Sequence, residues 1–376
     1  MEAAKLLMVF VIILILLWRK LPLAPVMIGA SLLLALLYKT LPLELLRITW
    51  NATKSPDTLE IASILLLVMI LERLLREEGY LDRMLAALTG LFKDRRVVMT
   101  ILPAFIGLMP SAGGALFSAP LVEKAVGDKV SSENKAFVNF YYRHIWEFFL
   151  PIYPGILLAS AITGIPLAKM IMGLLPMGAF MILIGIPFVA AIKVDNGEDF
   201  SHEDIGLPRR QLIKDALSST LPVFIVVALV LASVNVVLAA VLVLGGLIIK
   251  HRYSPKKFFE LTRRAVVIKT LVIIWAIMLF KETMTATNSI ASLPEFFAML
   301  PIPEIAAVGL ISFIIAYLTG QTGFYVGIAF PLVVAAMGGK VNLPTAMFVF
   351  ISGSAGTMLS PMHLCLTLTI DYFKAN

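Results

Sequence analysis

Arg143, His144 and Glu147 stand inside a long apolar run, Phe137-Val138-Asn139-Phe140-Tyr141-Tyr142-Arg143-His144-Ile145-Trp146-Glu147-Phe148-Phe149-Leu150-Pro151. If that run lies in a bilayer, each charge near its centre costs at least about 2.5 to 3.5 kcal/mol, so it must be compensated or used. The arginine suits an anionic substrate. The histidine, whose ordinary pKa lies nearest neutrality, suits proton coupling together with the glutamate. A competing reading makes Arg143 and Glu147, four apart, an ion pair that braces one helical face.

Directly before this run lies Leu108-Met109-Pro110-Ser111-Ala112-Gly113-Gly114-Ala115, a glycine- and proline-broken interruption between the apolar flanks Val97–Leu108 and Ala115–Val126. Irregular backbone at membrane depth is tolerated only where it is buried in protein or lines a cavity. Flanks of about twelve residues are too short to cross a core that needs roughly 20 helical residues. The pattern predicts a re-entrant helical hairpin. It recurs as Ile305–Leu318, the tip Thr319-Gly320-Gln321-Thr322-Gly323, and Phe324–Met337. The two tips offer Ser111, Gly113 and Gly114, and Gln321, Thr322 and Gly323, as substrate-binding candidates.

A second polar-broken span, Phe348–Ile370, carries Ser352-Gly353-Ser354-Ala355-Gly356-Thr357 and then Ser360-Pro361-Met362-His363. Glycines and a proline so close together predict unwinding near the middle. The freed carbonyls and hydroxyls make Ser354, Gly356 and Thr357 substrate-binding candidates, and Ser111, Gly114, Ser352 and Ser354 candidate Na⁺ ligands. Small-residue packing against the second hairpin is the alternative use of the same residues.

The elements that must position these groups follow from composition. With 60% hydrophobic residues, 15% charged and a mean hydropathy of +0.94 over 376 residues, the chain reads as an all-α polytopic membrane protein. The formal charge of +7 then reflects topology and does not imply nucleic-acid binding. The single cysteine, Cys365, lies in an apolar segment and reads as a small packed hydrophobe.

Full spans are expected at Leu6–Trp18, Leu21–Tyr38, Ile61–Leu75, Phe137–Ile162 and Ala168–Ile192. The first resembles a signal peptide but lacks a small-residue cleavage site. Lys193–Asp215 is polar, with six acids against four bases, and reads as a cytoplasmic linker. His202 sits there among Asp199, Glu203 and Asp204 without the spacing of a metal-ligand set.

Shifting the chain by 211 positions lays the first spans on Leu217–Leu229, Ala232–Ile249 and Val272–Ala286, and sets Pro120-Leu121-Val122 on Pro331-Leu332-Val333. The reading is a first repeat over 1–192 with five spans, a linker over 193–215, and a second repeat over 216–376 with four. An odd number of spans before the second copy inverts it. Lys250–Arg264 has six Lys/Arg and one acid, while Met284–Glu304 has two acids and no Lys or Arg, so the former is cytoplasmic and the latter exterior. That places the amino terminus outside, the carboxyl terminus in the cytoplasm, and the hairpins opposed, the architecture of secondary transporters in a plasma membrane.

Opposed hairpins with paired broken spans resemble the ion transporter superfamily of gluconate, citrate and dicarboxylate carriers. Tyr141-Tyr142-Arg143-His144-Ile145-Trp146-Glu147 and Gly353-Ser354-Ala355-Gly356-Thr357-Met358-Leu359-Ser360-Pro361 are most similar to its uncharacterised branch, the domain-of-unknown-function 401 membrane proteins. The resemblance implies a scaffold of early spans, a mobile domain of hairpins and broken spans, elevator-type alternating access and a homodimer. The tips lack the Ser-Asn-Thr of the dicarboxylate branch.

The function expected is H⁺-coupled secondary transport of a small organic carboxylate, with membrane lipid and a second copy as partners and no bound cofactor. Na⁺ coupling, a channel and a lipid-linked anion translocase are the alternatives. An enzyme is not expected: Gly353-Ser354-Ala355-Gly356 sets its serine one position early for an intramembrane protease, and no His-Glu-x-x-His motif is present.

Overall fold

The computed structural model of the chain describes residues 2–92, 94–108, 114–194, 207–289 and 301–375. Ser111, Gly113, His202 and most of the expected linker lie outside the described residues. In chain order the helices are α1 (Glu2–Trp18), α2 (Leu23–Leu37), α3 (Pro42–Lys54), α4 (Pro56–Glu77), α5 (Tyr80–Leu91), α6 (Arg95–Ile106), α7 (Ala115–Val126), α8 (Ser132–Arg143) and α9 (Pro154–Thr163). They continue with α10 (Leu167–Ala191), α11 (Arg209–Leu231), α12 (Val236–Lys250), α13 (Pro255–Ala265), α14 (Ile268–Ala286), α15 (Glu304–Thr319), α16 (Thr322–Ala336), α17 (Leu343–Leu359) and α18 (Leu364–Phe373). No strand occurs among the described residues.

Short-range signals set many of the ends. Side chains of Asp94, Ser131, Asn235, Ser254 and Asn342 accept backbone N–H groups at the starts of α6, α8, α12, α13 and α17. Each such cap contributes about 1 kcal/mol. Pro42 and Pro255 open α3 and α13, where a missing N–H costs nothing.

Among the described residues, three helical stretches are long and apolar enough to cross a membrane: α10, α11 and Leu343–Phe373, which joins α17 to α18. Along α10, Met172, Phe180, Leu183 and Phe188 are all more than half exposed. A water-soluble protein rarely presents apolar surface on that scale. A membrane protein is what the composition implied, and these helices fit one.

The chain divides into two compact units, each built from both halves of the sequence. Unit 1 comprises residues 1–66, 154–173 and 267–363; unit 2 comprises 67–153, 174–266 and 364–376. In unit 1, α14 lies against α2 and α3, and α15 and α16 pair as a helical hairpin that packs on α17 and α9. Lipid tails are as apolar as leucine, so close packing holds such helices together rather than exclusion of water. Phe350 accordingly meets the Tyr325 and Phe330 rings edge-on, with centroids 6.0 and 6.3 Å away. In unit 2, α6 and α7 pair and pack on α8, α18 lies against α7 and α8, and α11 packs on α5 and α12.

A polar clasp in unit 2 ties the α4–α5 turn to the end of α12. Glu78 accepts from Lys257 Nζ at 3.0 Å and Tyr253 Oη at 2.8 Å, and lies 2.9 Å from His251 Nδ1. Partial burial alone would raise the Glu78 carboxyl. Hydrogen bonds from Lys257 and Tyr253, with the adjacent His251 ring and the Lys257 charge, outweigh it and hold the group below its ordinary range. A carboxyl lowered on folding adds stability that is present above its unfolded value and fades as pH falls through the folded one. The thermal midpoint of the wild type is therefore expected to fall more steeply than that of Glu78→Gln as pH drops below the ordinary carboxylate range. Unfolding scans across that range measure it, and parallel curves would remove the clasp from the stability of unit 2.

Candidate functional site

Unit 2 contains the ionisable run. Helix α8 stops at Arg143, a short 3₁₀ turn covers Ile145–Phe148, and helix resumes only at Pro154. The last carbonyls of any helix lack intrahelical donors. Here the broken segment supplies donors to the end of α6: Trp146 Nε1 donates to the Ala104 carbonyl at 2.5 Å, and Tyr153 Oη donates to the Gly107 carbonyl. Gly107 sits so close that a β-carbon on it would overlap the Arg143 carbonyl oxygen. The hairpin helix and the break are thus keyed together through backbone.

Arg143 is only 4% exposed, and its Nη1 donates to Cys365 Sγ at 3.0 Å. His144 is buried with Nδ1 2.6 Å from the Phe140 carbonyl. A carbonyl only accepts, so Nδ1 carries a proton and Nε2 is the position that gains or loses one. Nε2 lies 3.8 Å from Glu147 Oε1. One helical turn earlier, Asn139 is fully buried and donates through Nδ2 to the Ala115 carbonyl at 3.2 Å and to Thr369 Oγ1 at 3.1 Å. This ties α8 to α7 and α18. Its Oδ1 has no hydrogen-bond partner among the described residues.

Gly114, the other described tip candidate of this hairpin, is buried, and its carbonyl accepts from the Phe117 and Ser118 N–H groups as α7 begins. Because α-helix ends at Arg143, the α-helical register assumed for an Arg143–Glu147 pair does not extend to Glu147. Cys365 does not pack as a simple hydrophobe, since its sulfur faces the guanidinium.

Unit 1 holds a second centre of the same kind. Gly320, with φ +64°, ends α15 in the left-handed region, and Gln321, exposed, precedes α16, whose first turn carries half-buried Thr322 and Gly323. The break in the partnering span falls at Ser360–His363 and not at the glycines. Helix α17 runs unbroken through Ser352, Gly353, Ser354, Gly356 and Thr357, which corrects the expected unwinding there. Packing supplies the physical reason. A β-carbon on Gly353 would overlap the Tyr325 ring, and one on Gly356 would overlap the Phe313 carbonyl. These glycines serve close approach to α15 and α16, the small-residue alternative.

Tyr325 Oη bonds the Phe350 carbonyl at 3.0 Å and Ser354 Oγ at 3.1 Å, while Ser312 Oγ donates to the Val349 carbonyl at 2.9 Å. Thr357 Oγ1 is buried with no hydrogen-bond partner among the described residues. At the break, Ser360 Oγ donates to the Tyr317 carbonyl at 2.5 Å and accepts from the Met362 N–H at 3.1 Å, and His363 Nδ1 lies 3.0 Å from the Thr357 carbonyl. A β-carbon on Gly320 would come within 2.5 Å of Met362 C and 2.6 Å of His363 N.

Both centres therefore rest on a tip glycine against a helix break. Gly107→Ala is expected to lower unfolding stability by about 1–3 kcal/mol, because backbone cannot move aside as a flexible side chain can. Gly245→Ala, where nothing lies within 4 Å of the added carbon, is the matched control and is expected to be neutral or stabilising. Thermal unfolding of the purified variants checks the pair.

Sequence reasoning passed over Asn139, Trp146, Tyr153 and Tyr325. Asn139 had a readable signal, an amide within an apolar run. The aromatic residues had none, because their polar ends matter only once the opposing carbonyl is known.

No curated protein matches the chain. A family model described as protein of unknown function (DUF401) matches residues 2–376, so the chain belongs to the DUF401 family.

Proposed function

We propose that this protein is a secondary active transporter of a small organic carboxylate, coupled to H⁺ and working by elevator-type alternating access as a homodimer. The observation that carries the reading is Arg143, a 4% exposed cation at the end of α8, where a span breaks against a helical hairpin. Intramembrane charges default to function because their cost is otherwise unrewarded. In this reading Arg143 binds the carboxylate. His144 and Glu147, with Nε2 3.8 Å from Oε1, are the groups that carry the coupling proton in turn. No covalent chemistry is proposed, and the cargo and H⁺ are the only small partners.

The inverted-repeat reading gains support from element boundaries. Helix α2 (Leu23–Leu37) and α12 (Val236–Lys250) differ by 213 positions at both ends, as do the left-handed residues Lys20 and Ser233, and Lys39 and Arg252. The starts of α8 (Ser132) and α17 (Leu343) differ by 211, and those of α9 (Pro154) and α18 (Leu364) by 210. A uniform shift of 211 thus becomes a drifting one, as small length changes in loops would produce. We take the two hairpins as re-entrant and opposed, with the amino terminus outside and the carboxyl terminus in the cytoplasm.

Na⁺ coupling is a second reading, favoured by two buried oxygens, Asn139 Oδ1 and Thr357 Oγ1, that lack donors among the described residues. An acceptor in that state suits a cation.

Flux into proteoliposomes under an imposed pH or Na⁺ gradient, with a panel of carboxylates, tests the reading. The wild type is expected to accumulate a carboxylate when H⁺ flows inward. Arg143→Ala is expected to lose at least about 30-fold in apparent substrate affinity, since removing one partner of a buried charged contact costs roughly 2 kcal/mol or more. His144→Gln and Glu147→Gln are expected to keep downhill exchange and lose accumulation driven by pH. Accumulation driven by Na⁺ alone would favour the Na⁺ reading over H⁺ coupling at His144 and Glu147. If Arg143→Ala fails to fold, the bracing role stands in place of the binding one.

A further inference from the structure

We propose that unit 2 carries a binding site for an anionic phospholipid, with one acyl chain in the groove between α11 and α12 and the phosphate on Lys250. The cavity measures about 310 Å³ and lies wholly within unit 2. Its walls come from one stripe of each helix. Leu221, Ile225 and Leu229 lie on α11, and Leu242, Val243 and Leu247 on α12. The spacing of four along α11, and of four between Val243 and Leu247 on α12, keeps these side chains on one face.

The dimensions select the occupant. From Ser218 to Leu229 the groove follows eleven residues of α11, or about 16 Å at 1.5 Å per residue. That is close to half of a hydrocarbon core about 30 Å thick, the depth of a single leaflet. A cavity of about 310 Å³ drawn out over this length is a narrow slot, whereas a helix with its side chains is about 10 Å across, so the shape suits a single hydrocarbon chain. Leu221, Ile225 and Leu242 are each more than a third exposed, and α11 is long and apolar enough to span a membrane, which leaves the groove open to lipid.

One end of the groove is cationic. Lys250 Nζ donates to Tyr80 Oη at 3.0 Å, Tyr80 Oη lies 2.9 Å from His251 Nε2, and His251 Nδ1 lies 2.9 Å from Glu78. A single sense of donation satisfies the chain: lysine to tyrosine oxygen, tyrosine hydroxyl to histidine, histidine Nδ1–H to carboxylate. The relay holds Lys250 at the groove end while the Glu78 charge is met by Lys257 at 3.0 Å. Lys250 has no carboxylate partner among the described residues, and the Arg83 guanidinium lies 4.6 Å over the Tyr80 ring. The C-terminal carbonyls of α12 would repel an anion, so these two cations are what make the end suited to a phosphate. A basic residue beside an anionic membrane surface contributes about 1 kcal/mol.

The test is thermal unfolding and native mass spectrometry of the full-length, delipidated protein in neutral detergent. It is titrated with phosphatidylglycerol, with phosphatidylcholine of the same chains, and with glycerol phosphate. Phosphatidylglycerol is expected to raise the unfolding midpoint and to be retained in the spectrum more than phosphatidylcholine, and glycerol phosphate to do neither. Lys250→Gln is expected to weaken phosphatidylglycerol binding about fivefold. Gly246→Leu fills the groove where nothing lies within 4 Å of an added β-carbon, so it is expected to fold normally and to abolish the shift. Equal shifts with the two lipids, an undiminished shift in Gly246→Leu, or a full shift with glycerol phosphate alone would overturn the proposal. So would a change of oligomeric mass in Gly246→Leu, which would make the groove an interface between copies.

Discussion

A helix that breaks inside a hydrocarbon layer leaves carbonyl and N–H groups that no solvent will satisfy, and each one orphaned costs several kcal/mol. At two helix breaks in the structure side chains meet such groups, with different residues and one device. In unit 2 the side chains of Trp146 and Tyr153 reach the last turn of α6. In unit 1 Ser360 serves both the Tyr317 carbonyl and the Met362 N–H, and His363 returns to the Thr357 carbonyl. The geometry works only because Gly107 and Gly320 have no side chain where the backbones meet. A consequence for dynamics follows. Once the break serves as the cap of the hairpin, separating the two would orphan several polar groups at once, so hairpin and break should move as one body.

The placement of Arg143 follows from the same constraint. It is the last residue of α8, where the helix dipole favours a cation, and the break directly after it gives a long side chain room to turn. Its Nη1 contact with Cys365 is to a weak acceptor, which helps to orient the guanidinium. The His144 tautomer is likewise set by backbone, through the Phe140 carbonyl. Main-chain carbonyls and a soft sulfur thus take part in positioning the side chains of this centre.

Patterns carried by contiguous residues were legible in the sequence. The apolar flank Ala115–Val126 coincides with α7, and α15 differs from Ile305–Leu318 by one residue at each end. Ser131 and Asn342 mark the starts of α8 and α17 as capping residues should. The failure at Gly353 and Gly356 is instructive. A glycine costs a helix only about 1 kcal/mol relative to alanine, and close packing on Tyr325 and Phe313 outweighs that. The break falls where Pro361 removes a donor altogether. The partners of Asn139, Tyr153 and Tyr325 were illegible for a different reason. They lie 24 to 230 residues away along the chain, and a single sequence does not encode which carbonyl a hydroxyl or amide will meet.

Those separations also bear on how the centres assemble. The amide of Asn139 is completed by Thr369, near the end of the chain. Unit 2 takes α18 from the second half of the sequence, and unit 1 takes α9 from the first. The first half cannot complete its own hairpin centre during synthesis. Until α18 is made, α8 presents a polar amide and an arginine whose contacts with Thr369 and Cys365 are missing, in surroundings that penalise both. Non-local closure of this kind is slow, and it exposes intermediates. The arrangement therefore favours late assembly of the centres, after the surrounding apolar helices have packed. It also makes α18 a condition for the placement of Arg143, more than 200 residues earlier.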